Sequence, residues 1–298
     1  MITEFPIFTK IDLNQKSIID KFNSDYPPYS DFNFSSIFCW DIYNNSEICK
    51  LDKNLIICIP DYITGEKRFS LLGRESIDSV IKKLFTLTNE ISLVPEDTIA
   101  AIKNPNNFII DYDKDNYDYI FNINEHSDLT GSHFKSKRKR FNKIIKDHND
   151  NLDLHKIDFK SPSDKQDIIC IVSSWINNKN IPQTEANNEL EAIKRAIANA
   201  DILNLTGLIL RVSNVPMGFS IVEKISTKFA IYHFQKTLLD ISNLDIYLTI
   251  NQAQSLAKEG VKYINWEQDL GIPGLRILKK SYYPSDLLRK FSIKPIIS

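Results

Sequence analysis

The stretch that decides the fold lies near the end of the chain and reads Tyr263-Ile264-Asn265-Trp266-Glu267-Gln268-Asp269-Leu270-Gly271-Ile272-Pro273-Gly274-Leu275-Arg276-Ile277-Leu278-Lys279-Lys280-Ser281-Tyr282-Tyr283-Pro284. It opens with residues that suit a pleated strand. Polar and acidic side chains follow at the strand's exit, where α/β proteins commonly bind ligands. Gly271 and Pro273 indicate a helix start, because the missing N–H of proline is not needed in a first turn. The pattern predicts a strand, a polar turn and a short helix that ends before Pro284.

The polar turn has two interpretations. A polar strand exit that leads into a helix N-terminus is a candidate site for an anion or a carbonyl group. The alternative is a solvated connection between a strand and a helix, without any ligand. The local pattern alone leaves both interpretations open.

The composition is that of an ordinary soluble globular protein. Of the 298 residues, 42% are hydrophobic and 25% are charged, and this length predicts about two domains. Because the formal net charge is −1, attraction to an anionic partner requires a local patch. The four cysteines show no metal-binding spacing and are expected to be free thiols. We find no secretory signal and no apolar run of the ~18 residues that span a bilayer, so we expect a cytoplasmic location.

Both halves of the chain mix strand and helix signals, which predicts an α/β or α+β fold. A polar break at residues 149–153 places the domain boundary near residue 150. In the first half the patterns predict helices at 15–24 and 75–89 and strands at 55–59, 68–72, 108–111 and 117–121. The second half reads strand, two helices, three strands, helix, strand and helix, with the three consecutive strands at 205–212, 218–225 and 228–236.

A strongly basic helix is predicted at residues 131–148. Between residues 129 and 146 there are seven Lys and Arg residues and no acidic residue: Lys135, Lys137, Arg138, Lys139, Arg140, Lys143 and Lys146. Apolar residues lie along one face, and Ser132 is predicted to cap the helix. A cluster of one sign on a nearly neutral protein indicates an anionic partner, such as tRNA, phospholipid or a nucleotide. The alternative is a solvated helix that pairs with acids elsewhere.

Three segments together resemble one bacterial family. They are the closing stretch quoted above, the basic helix with Leu129-Thr130-Gly131 before it, and the aromatic segment Tyr29-Ser30-Asp31-Phe32-Asn33-Phe34-Ser35. These segments are similar to the phosphatidylglycerol lysyltransferase C-terminal-like domain. That family is related to the peptidoglycan Fem ligases and to leucyl/phenylalanyl-tRNA-protein transferases. One residue departs from its pattern: Trp266 stands where a basic residue, commonly Arg, is expected.

The resemblance implies a fold and a domain division. The fold is a tandem pair of GNAT-like (Gcn5-related N-acetyltransferase) domains of α/β (α+β) class, each a mixed twisted sheet flanked by helices, at residues 1–150 and 151–298. It also implies that the strand holding His233 and the strand ending at Asn265 splay apart to form an acyl-donor groove. To the aromatic segment we assign a structural role and no chemistry, with Ser35 or Ser36 capping a helix.

The predicted donor is aminoacyl-tRNA. Ordinary GNAT enzymes hold the CoA pyrophosphate with backbone N–H groups of a glycine-rich turn. The corresponding turn, at residues 237–244, contains no glycine, and bulky side chains hinder a close backbone approach to phosphate. Acetyl-CoA is therefore not expected to bind there. We expect aminoacyl-tRNA as a co-substrate, and neither a cofactor nor a metal ion.

Aminoacyl transfer needs a base or proton shuttle, donors for the oxyanion and a pocket for the α-ammonium group. The predicted catalytic residues are His233 as a proton relay, with Glu267 and Asp269 for the ammonium. The predicted substrate-binding residues are Asn265, Gln235, Lys236, Asn251, Arg276, Lys279 and Tyr282. The predicted anion-binding residues are Lys135, Lys137, Arg138, Lys139 and Arg140. For His233 the alternative is a structural histidine.

Two kinds of function remain open. One is a transferase that passes an aminoacyl group from tRNA to an amine or hydroxyl of a small molecule, a peptide or a lipid headgroup. The membrane domain of true lysyl-phosphatidylglycerol synthases is missing from this sequence, which argues against a lipid acceptor, although peripheral membrane contact is compatible with it. The other is a tandem-GNAT module that binds an anionic partner without turnover. A CoA-dependent N-acyltransferase is a further alternative.

Overall fold

The computed structural model of the protein describes residues 1–60, 65–178 and 182–296. The chain forms two compact units. The first unit comprises Met1–Tyr119, Glu267–Lys279 and Asp286–Ser298, and the second comprises Ile120–Trp266 and Lys280–Ser285. Within the described ranges, no helix combines the length and the apolar character needed to cross a bilayer.

The described ranges contain strands and helices that alternate along the chain. In chain order the strands are β1 (Thr9–Lys10), β2 (Glu47–Leu51), β3 (Asn54–Pro60), β4 (Lys67–Leu72), β5 (Ile91–Pro95), β6 (Phe108–Tyr112), β7 (Asp118–Asn122), β8 (Leu152–Lys156), β9 (Leu205–Val212), β10 (Val215–Lys224), β11 (Phe229–Thr237), β12 (Tyr263–Asn265), β13 (Asp286–Leu288) and β14 (Lys290–Pro295). The α-helices are α1 (Lys16–Asn23), α2 (Phe34–Trp40), α3 (Ile77–Leu84), α4 (Glu96–Ile99), α5 (Ile123–Asp128), α6 (Lys135–His148), α7 (Pro162–Asn178), α8 (Gln183–Ala198), α9 (Leu244–Lys258) and α10 (Pro273–Lys280).

The first unit is built on a mixed sheet with the strand order β1-β2-β3-β4-β5-β14-β6. The pair β4 and β5 is parallel, and the other neighbours are antiparallel. Helix α3 connects the parallel pair and buries Ile77, Val80, Ile81 and Leu84 against apolar residues of the sheet. Ile293 of β14 belongs to the same core, so the end of the chain completes the packing of this unit.

The second unit repeats this topology. The strands of this unit lie in the order β7-β12-β11-β10-β9-β8, in which β11 and β12 are parallel and the other neighbours are antiparallel. Helix α9 connects the parallel pair, as α3 does in the first unit, and two helices lie between the first two strands of each series. The predicted fold of mixed sheets flanked by helices is confirmed.

The two halves of the sequence exchange strands. β7, from the first half of the chain, pairs with β12 of the second unit, and β14, the last strand of the chain, lies between β5 and β6 of the first unit. The second topological series begins with β8 at Leu152, close to the predicted boundary at residue 150. That boundary lies within the second compact unit. The division into GNAT-like domains at 1–150 and 151–298 stays a prediction.

The groove implied by the resemblance has a counterpart in the pairing of β11. The register of β11 with β12 runs from Phe229↔Tyr263 to Ile231↔Asn265. β11 then continues to Thr237, still paired on its other side with β10. The two parallel strands are therefore paired over three residues and part at Asn265, where β12 ends; the acyl-donor groove stays a prediction.

Three predictions of local structure were wrong in detail. The helix predicted at 75–89 is α3, which ends at Leu84, because the hydroxyls of Thr86 and Thr88 bond to nearby backbone carbonyls and compete with the helix. Ser132 does not cap the basic helix: it opens a short 3₁₀ turn, and α6 begins at Lys135 without a side-chain cap. The N-cap of α2 is Asn33 rather than Ser35 or Ser36, since the Asn33 carbonyl oxygen accepts the Ser36 N–H at 2.8 Å.

We predict that Gly207→Ala destabilises the protein by roughly 1–3 kcal/mol, because a Cβ atom here forces two paired strands apart. Gly207 of β9 lies so close to β10 that its Cβ would stand 2.0 Å from the backbone oxygen of Ser220. Gly274→Ala is the matched control, since nothing lies within 4 Å of its Cβ and alanine suits a helix. Urea denaturation measures both variants, and equal free energies of unfolding would contradict the prediction.

Candidate active site

The turn after β12 has an unusual backbone. β12 ends in the second unit at Asn265, a fully buried residue in register with Ile231 and Ile120. The segment Glu267–Gly271, which we call the acidic turn, belongs to the first unit. Glu267, Leu270 and Gly271 have left-handed φ angles of 57°, 56° and 73°. Only glycine adopts this region without steric cost, so the surroundings must hold the other two residues in place.

Asp269 anchors the acidic turn from inside the first unit. Its side chain is fully buried and accepts hydrogen bonds from the Tyr119 hydroxyl at 2.6 Å, the Gly271 N–H at 2.9 Å, and Nε and Nη2 of Arg276 at 2.8 and 2.7 Å. Burial alone would raise the pKa of Asp269, but these donors outweigh it and hold the pKa below its usual range. Asp269 is therefore anionic and occupied with holding the turn; its catalytic role stays a prediction.

The predicted substrate-binding residues Arg276 and Lys279 share one face of α10 and reach the same turn. Arg276 also donates to Asp115 at 2.5 Å. The buried Lys279 ammonium donates to the carbonyl oxygens of Glu267, at 3.1 Å, and of Gln268. Burial lowers the pKa of Lys279 to about 8, so this group exchanges its proton close to neutral pH. Both residues fix the backbone of the acidic turn.

Glu267 and Gln268 contact the aromatic segment near the N-terminus. The Ser36 hydroxyl donates to Oε1 of Glu267 at 3.2 Å. The Gln268 amide donates to Oδ1 of Asp31 at 2.6 Å. Glu267 and Gln268 are half-buried, in contrast to the fully buried Asp269. Glu267 is thus the carboxylate of the turn that remains accessible to a ligand.

Sequence reasoning missed Asp31 and Ser36, because the aromatic segment was assigned a structural role only. A signal was available in the sequence. An aspartate flanked by Tyr29, Phe32 and Phe34 lies among residues that are normally buried, and a buried carboxylate requires partners. Those partners lie at the other end of the chain, where no local pattern connects them to residue 31.

His233 occupies a β-bulge in the second unit. Ile221 pairs with Phe234 and Val222 with Tyr232, which leaves His233 as the extra residue of β11. Its Nε2 atom lies 3.3 Å from Oε2 of Glu223, and both side chains are almost fully buried. Bulges often redirect a side chain next to active sites. The structure therefore places His233 beside a carboxylate that orients its ring, and its role as a proton relay stays a prediction.

The other predicted residues of the second unit have separate partners. Gln235 accepts from the hydroxyls of Tyr232, at 2.5 Å, and Thr249, at 3.2 Å. Lys236 pairs with Glu189 at 2.6 Å and lies 4.0 Å from the ring centre of Trp175. Asn251 donates to the carbonyl oxygen of Tyr247, one turn earlier in α9. The polar side chains of β11 thus contact residues of helices α7, α8 and α9. The Asn251 side chain forms its hydrogen bond within α9.

Tyr282 and Trp266 belong to an aromatic cluster of the second unit. The Trp266 ring lies 4.3 Å from Phe121, 4.9 Å from Tyr282 and 5.9 Å from Tyr232, centre to centre. His126 completes the cluster, with Nε2 at 2.9 Å from the carbonyl oxygen of Tyr282. Burial lowers the pKa of His126 to about 4 and raises that of Tyr282 above its usual value. The tryptophan found in place of a basic residue is therefore packed among aromatic rings.

Some basic side chains of helix α6 are exposed to solvent, and others bond to groups of the protein. Lys135, Lys139 and Arg140 are exposed. Lys137 donates to the carbonyl oxygen of Ser281 at 2.7 Å and lies over the ring of Tyr282, while Arg138 donates to the carbonyl oxygens of Leu129 and Gly131. The predicted apolar face is partly confirmed: Phe134 and Ile144 are buried, while Phe141 and Ile145 are half-buried. Three of the five predicted anion-binding side chains thus face solvent.

The repeated topology and the parting strands β11 and β12 define a protein of the tandem GNAT fold. The family model "Phosphatidylglycerol lysyltransferase, C-terminal" matches residues 25–294. The chain belongs to this family. The resemblance seen in the sequence is therefore confirmed. Among curated proteins, none matches the chain.

Solved structures agree with this assignment. A conserved protein of unknown function from Bacteroides thetaiotaomicron VPI-5482 is 25% identical, over 99% of this chain and 100% of its own, with a TM-score of 0.85. L-PGS from Bacillus licheniformis is 12% identical, over 99% and 94% of the two chains, with a TM-score of 0.62. A tandem GNAT protein from the clavulanic acid biosynthesis pathway is 8% identical, over 98% and 99%, with a TM-score of 0.51. The last two similarities concern the fold alone.

The buried His126 predicts a pH-dependent stability. The pKa of His126 is about 4 in the folded protein and has an ordinary value of 6.5. Between pH 4 and pH 6.5, His126 is therefore protonated in the unfolded chain and neutral in the folded protein. Stability should therefore be complete above pH 6.5 and fall as the pH decreases towards 4, by up to about 1.4 kcal/mol per pH unit. His126→Gln should lose this dependence, as measured by urea denaturation at several pH values.

The matched control is His133→Gln, which makes the same exchange at an exposed histidine. It should keep the pH dependence of the wild type. The same slope in wild type and in His126→Gln would contradict the prediction.

Proposed function

We propose that the protein is an aminoacyltransferase that passes an amino acid from aminoacyl-tRNA to an amine or hydroxyl group of an acceptor. The observation that carries this proposal is the family match over residues 25–294, because the family is named for the transfer of a lysyl group. L-PGS from Bacillus licheniformis, which shares the fold over 99% of this chain, supports the same class of reaction. The expected location is cytoplasmic.

Glu267 is the residue on which the proposed chemistry depends. The acceptor's nitrogen or oxygen attacks the ester carbonyl of the aminoacyl-tRNA, and the C–O bond to the terminal ribose of the tRNA breaks. The acceptor loses one proton and the ribose oxygen gains one. Glu267 is half-exposed on a turn held by Asp269, Arg276 and Lys279, so it suits the role of the base or of the partner of the substrate's α-ammonium group.

The proposed donor is supported by the turn between β11 and α9. The residues of this turn are bulky, and Leu238 and Ile241 pack against the apolar core below α6. Such a turn does not offer the close, glycine-lined backbone that binds a pyrophosphate. The exposed Lys135, Lys139 and Arg140 of α6 supply instead a positive surface for the phosphates of a tRNA. Aminoacyl-tRNA is thus favoured over acetyl-CoA.

A transfer assay tests the function directly. The purified protein is incubated with a tRNA pool charged with radiolabelled amino acids, and with either phosphatidylglycerol vesicles or a mixture of small amines and peptides. We expect label to move from tRNA to one acceptor class and the transfer to disappear when the tRNA is digested first. Glu267→Gln should reduce the rate by roughly 100-fold or more, the usual contribution of a positioned base.

Two outcomes of this assay would contradict the proposal. Transfer of labelled acetyl groups from acetyl-CoA, in place of amino acids from tRNA, would favour the CoA-dependent alternative. Tight tRNA binding without transfer to any acceptor class would favour the binding module. The control is the melting temperature of Glu267→Gln. If it equals that of the wild type, the variant is folded and its lower rate reflects the transfer reaction.

The basic helix predicts a salt dependence of tRNA binding. Each phosphate contact contributes roughly −0.7 to −0.9 to the slope of log K against log salt concentration. The triple variant Lys135→Gln, Lys139→Gln, Arg140→Gln should therefore flatten this slope by about two, if most of its three side chains contact phosphates. Filter binding over a series of potassium chloride concentrations measures the slope.

A matched control carries the same charge change elsewhere in the chain. Lys82, Lys83 and Lys103 are exposed in the first unit, and their triple exchange to glutamine should leave the slope unchanged. Equal slopes for the α6 variant and the wild type would mean that α6 is a solvated face without a tRNA contact.

A further inference from the structure

Three charged side chains are buried together in the first unit. Lys290 of β14 and Asp118 of β7 are fully buried, with 2.7 Å between Nζ and Oδ1. The Lys290 ammonium also contacts Oδ2 of Asp31, whose side chain exposes 9% of its surface. Two carboxylates thus share one ammonium group, and the cluster carries one excess negative charge. Buried excess charge destabilises a protein, so it requires an explanation.

Asp118 and Lys290 form a complete pair without Asp31. Asp118 accepts the Ser30 N–H at 2.8 Å and the Ser30 hydroxyl at 2.7 Å, in addition to the ammonium. The pair is neutral and all of these donors point at its carboxylate. Its role is to hold the aromatic segment on β7 and β14.

Asp31 is the excess carboxylate, and its second partner is the acidic turn. Oδ2 faces Lys290, while Oδ1 accepts the Gln268 amide at 2.6 Å. Burial raises the pKa of Asp31 to about 6 against the opposing effect of Lys290, with repulsion from Asp118 and Glu267 adding to it. The ionised form is therefore costly to the folded protein. Through its hydrogen bond, the Asp31 carboxylate fixes the position of the Gln268 side chain.

Gln268 follows Glu267, whose left-handed backbone needs support from its surroundings. Lys279 donates to the backbone carbonyl oxygens of Glu267 and Gln268, and Asp31 accepts from the side chain of Gln268. We infer that Asp31 is a positioning residue of the transferase: through Gln268 it fixes the turn that presents Glu267. This inference rests on the proposed function and deepens it.

The test uses Asp31→Ala, which removes the carboxylate. Alanine leaves Lys290 with Asp118 and has no side-chain acceptor for the Gln268 amide, so the link to Gln268 is lost. Gln268→Met breaks the same link from the other side. Asp118→Asn is the control for a structural carboxylate and should destabilise the protein strongly.

Hydrogen exchange of residues 267–272, followed by mass spectrometry, reports on the turn without any need for activity. The N–H groups of Leu270, Gly271 and Ile272 are hydrogen-bonded in the wild type, to Asp115 and Asp269. We expect faster exchange here in Asp31→Ala and in Gln268→Met, with unchanged exchange in β3. Urea denaturation at pH 8 should find Asp31→Ala much less destabilised than Asp118→Asn, because the Asp118–Lys290 pair stays intact.

Kinetics of aminoacyl transfer supply the second measurement. Each single variant should lower kcat by roughly tenfold or more while KM changes little, because a displaced catalytic group affects the chemical step. The double variant should be no slower than the slower single variant, since both changes break one link. Effects that multiply would mean independent roles and would overturn the inference.

The remaining outcomes also decide the question. Loss of stability in Asp31→Ala equal to that of Asp118→Asn would assign Asp31 a purely structural role. Wild-type exchange of the turn in both variants would overturn the inference as well. If the wild type transfers no aminoacyl group, the proposed function falls, and the exchange measurement alone then decides whether Asp31 fixes the turn.

Discussion

The hydrogen bonds of one buried carboxylate, Asp269, determine the shape of the candidate site. They join Tyr119, 150 residues earlier in the chain, to Arg276 in the helix that follows. A fully buried anion requires all of its partners, since removing one leaves an uncompensated charge in a medium that solvates it poorly. The left-handed residues on either side of Asp269 are held in place by this requirement. The buried Asp269 thus holds one end of the turn, and the contacts of Lys279 and Asp31 hold the end that presents Glu267.

The exchange of strands brings the remaining charges to the first unit. β14 is the last strand of the chain, and it places Lys290 beside Asp118 of β7 and Asp31 of the aromatic segment. Without this strand the two aspartates would lose the ammonium group that contacts them both. The ends of the chain are thus joined by electrostatics as well as by the sheet, and neither half of the sequence contains a complete sheet of its own.

Local patterns predicted the elements that are set by local chemistry. The strand, turn and helix around Asp269, the basic helix and the three consecutive strands from residue 205 were all predicted within a few residues, because periodicity and turn residues determine them. The insertion of β14 between β5 and β6 was not predicted, because pairing between distant strands leaves no local signal. For the same reason the contacts of Asp31 were missed. Lys137 and Arg138 bond to Ser281, Leu129 and Gly131, and their role as anion ligands stays a prediction.

Trp266 bears on the choice between a transferase and a binding module. In the sequence it stands where the family pattern has a basic residue. In the structure its ring packs against Phe121, Tyr232 and Tyr282 within the second unit. The acidic turn begins at the next residue and is held within the first unit by its own contacts, to Asp31, Arg276 and Lys279. The substitution therefore alters an aromatic core and leaves the anchors of Glu267 in place, which favours retained catalysis over binding alone.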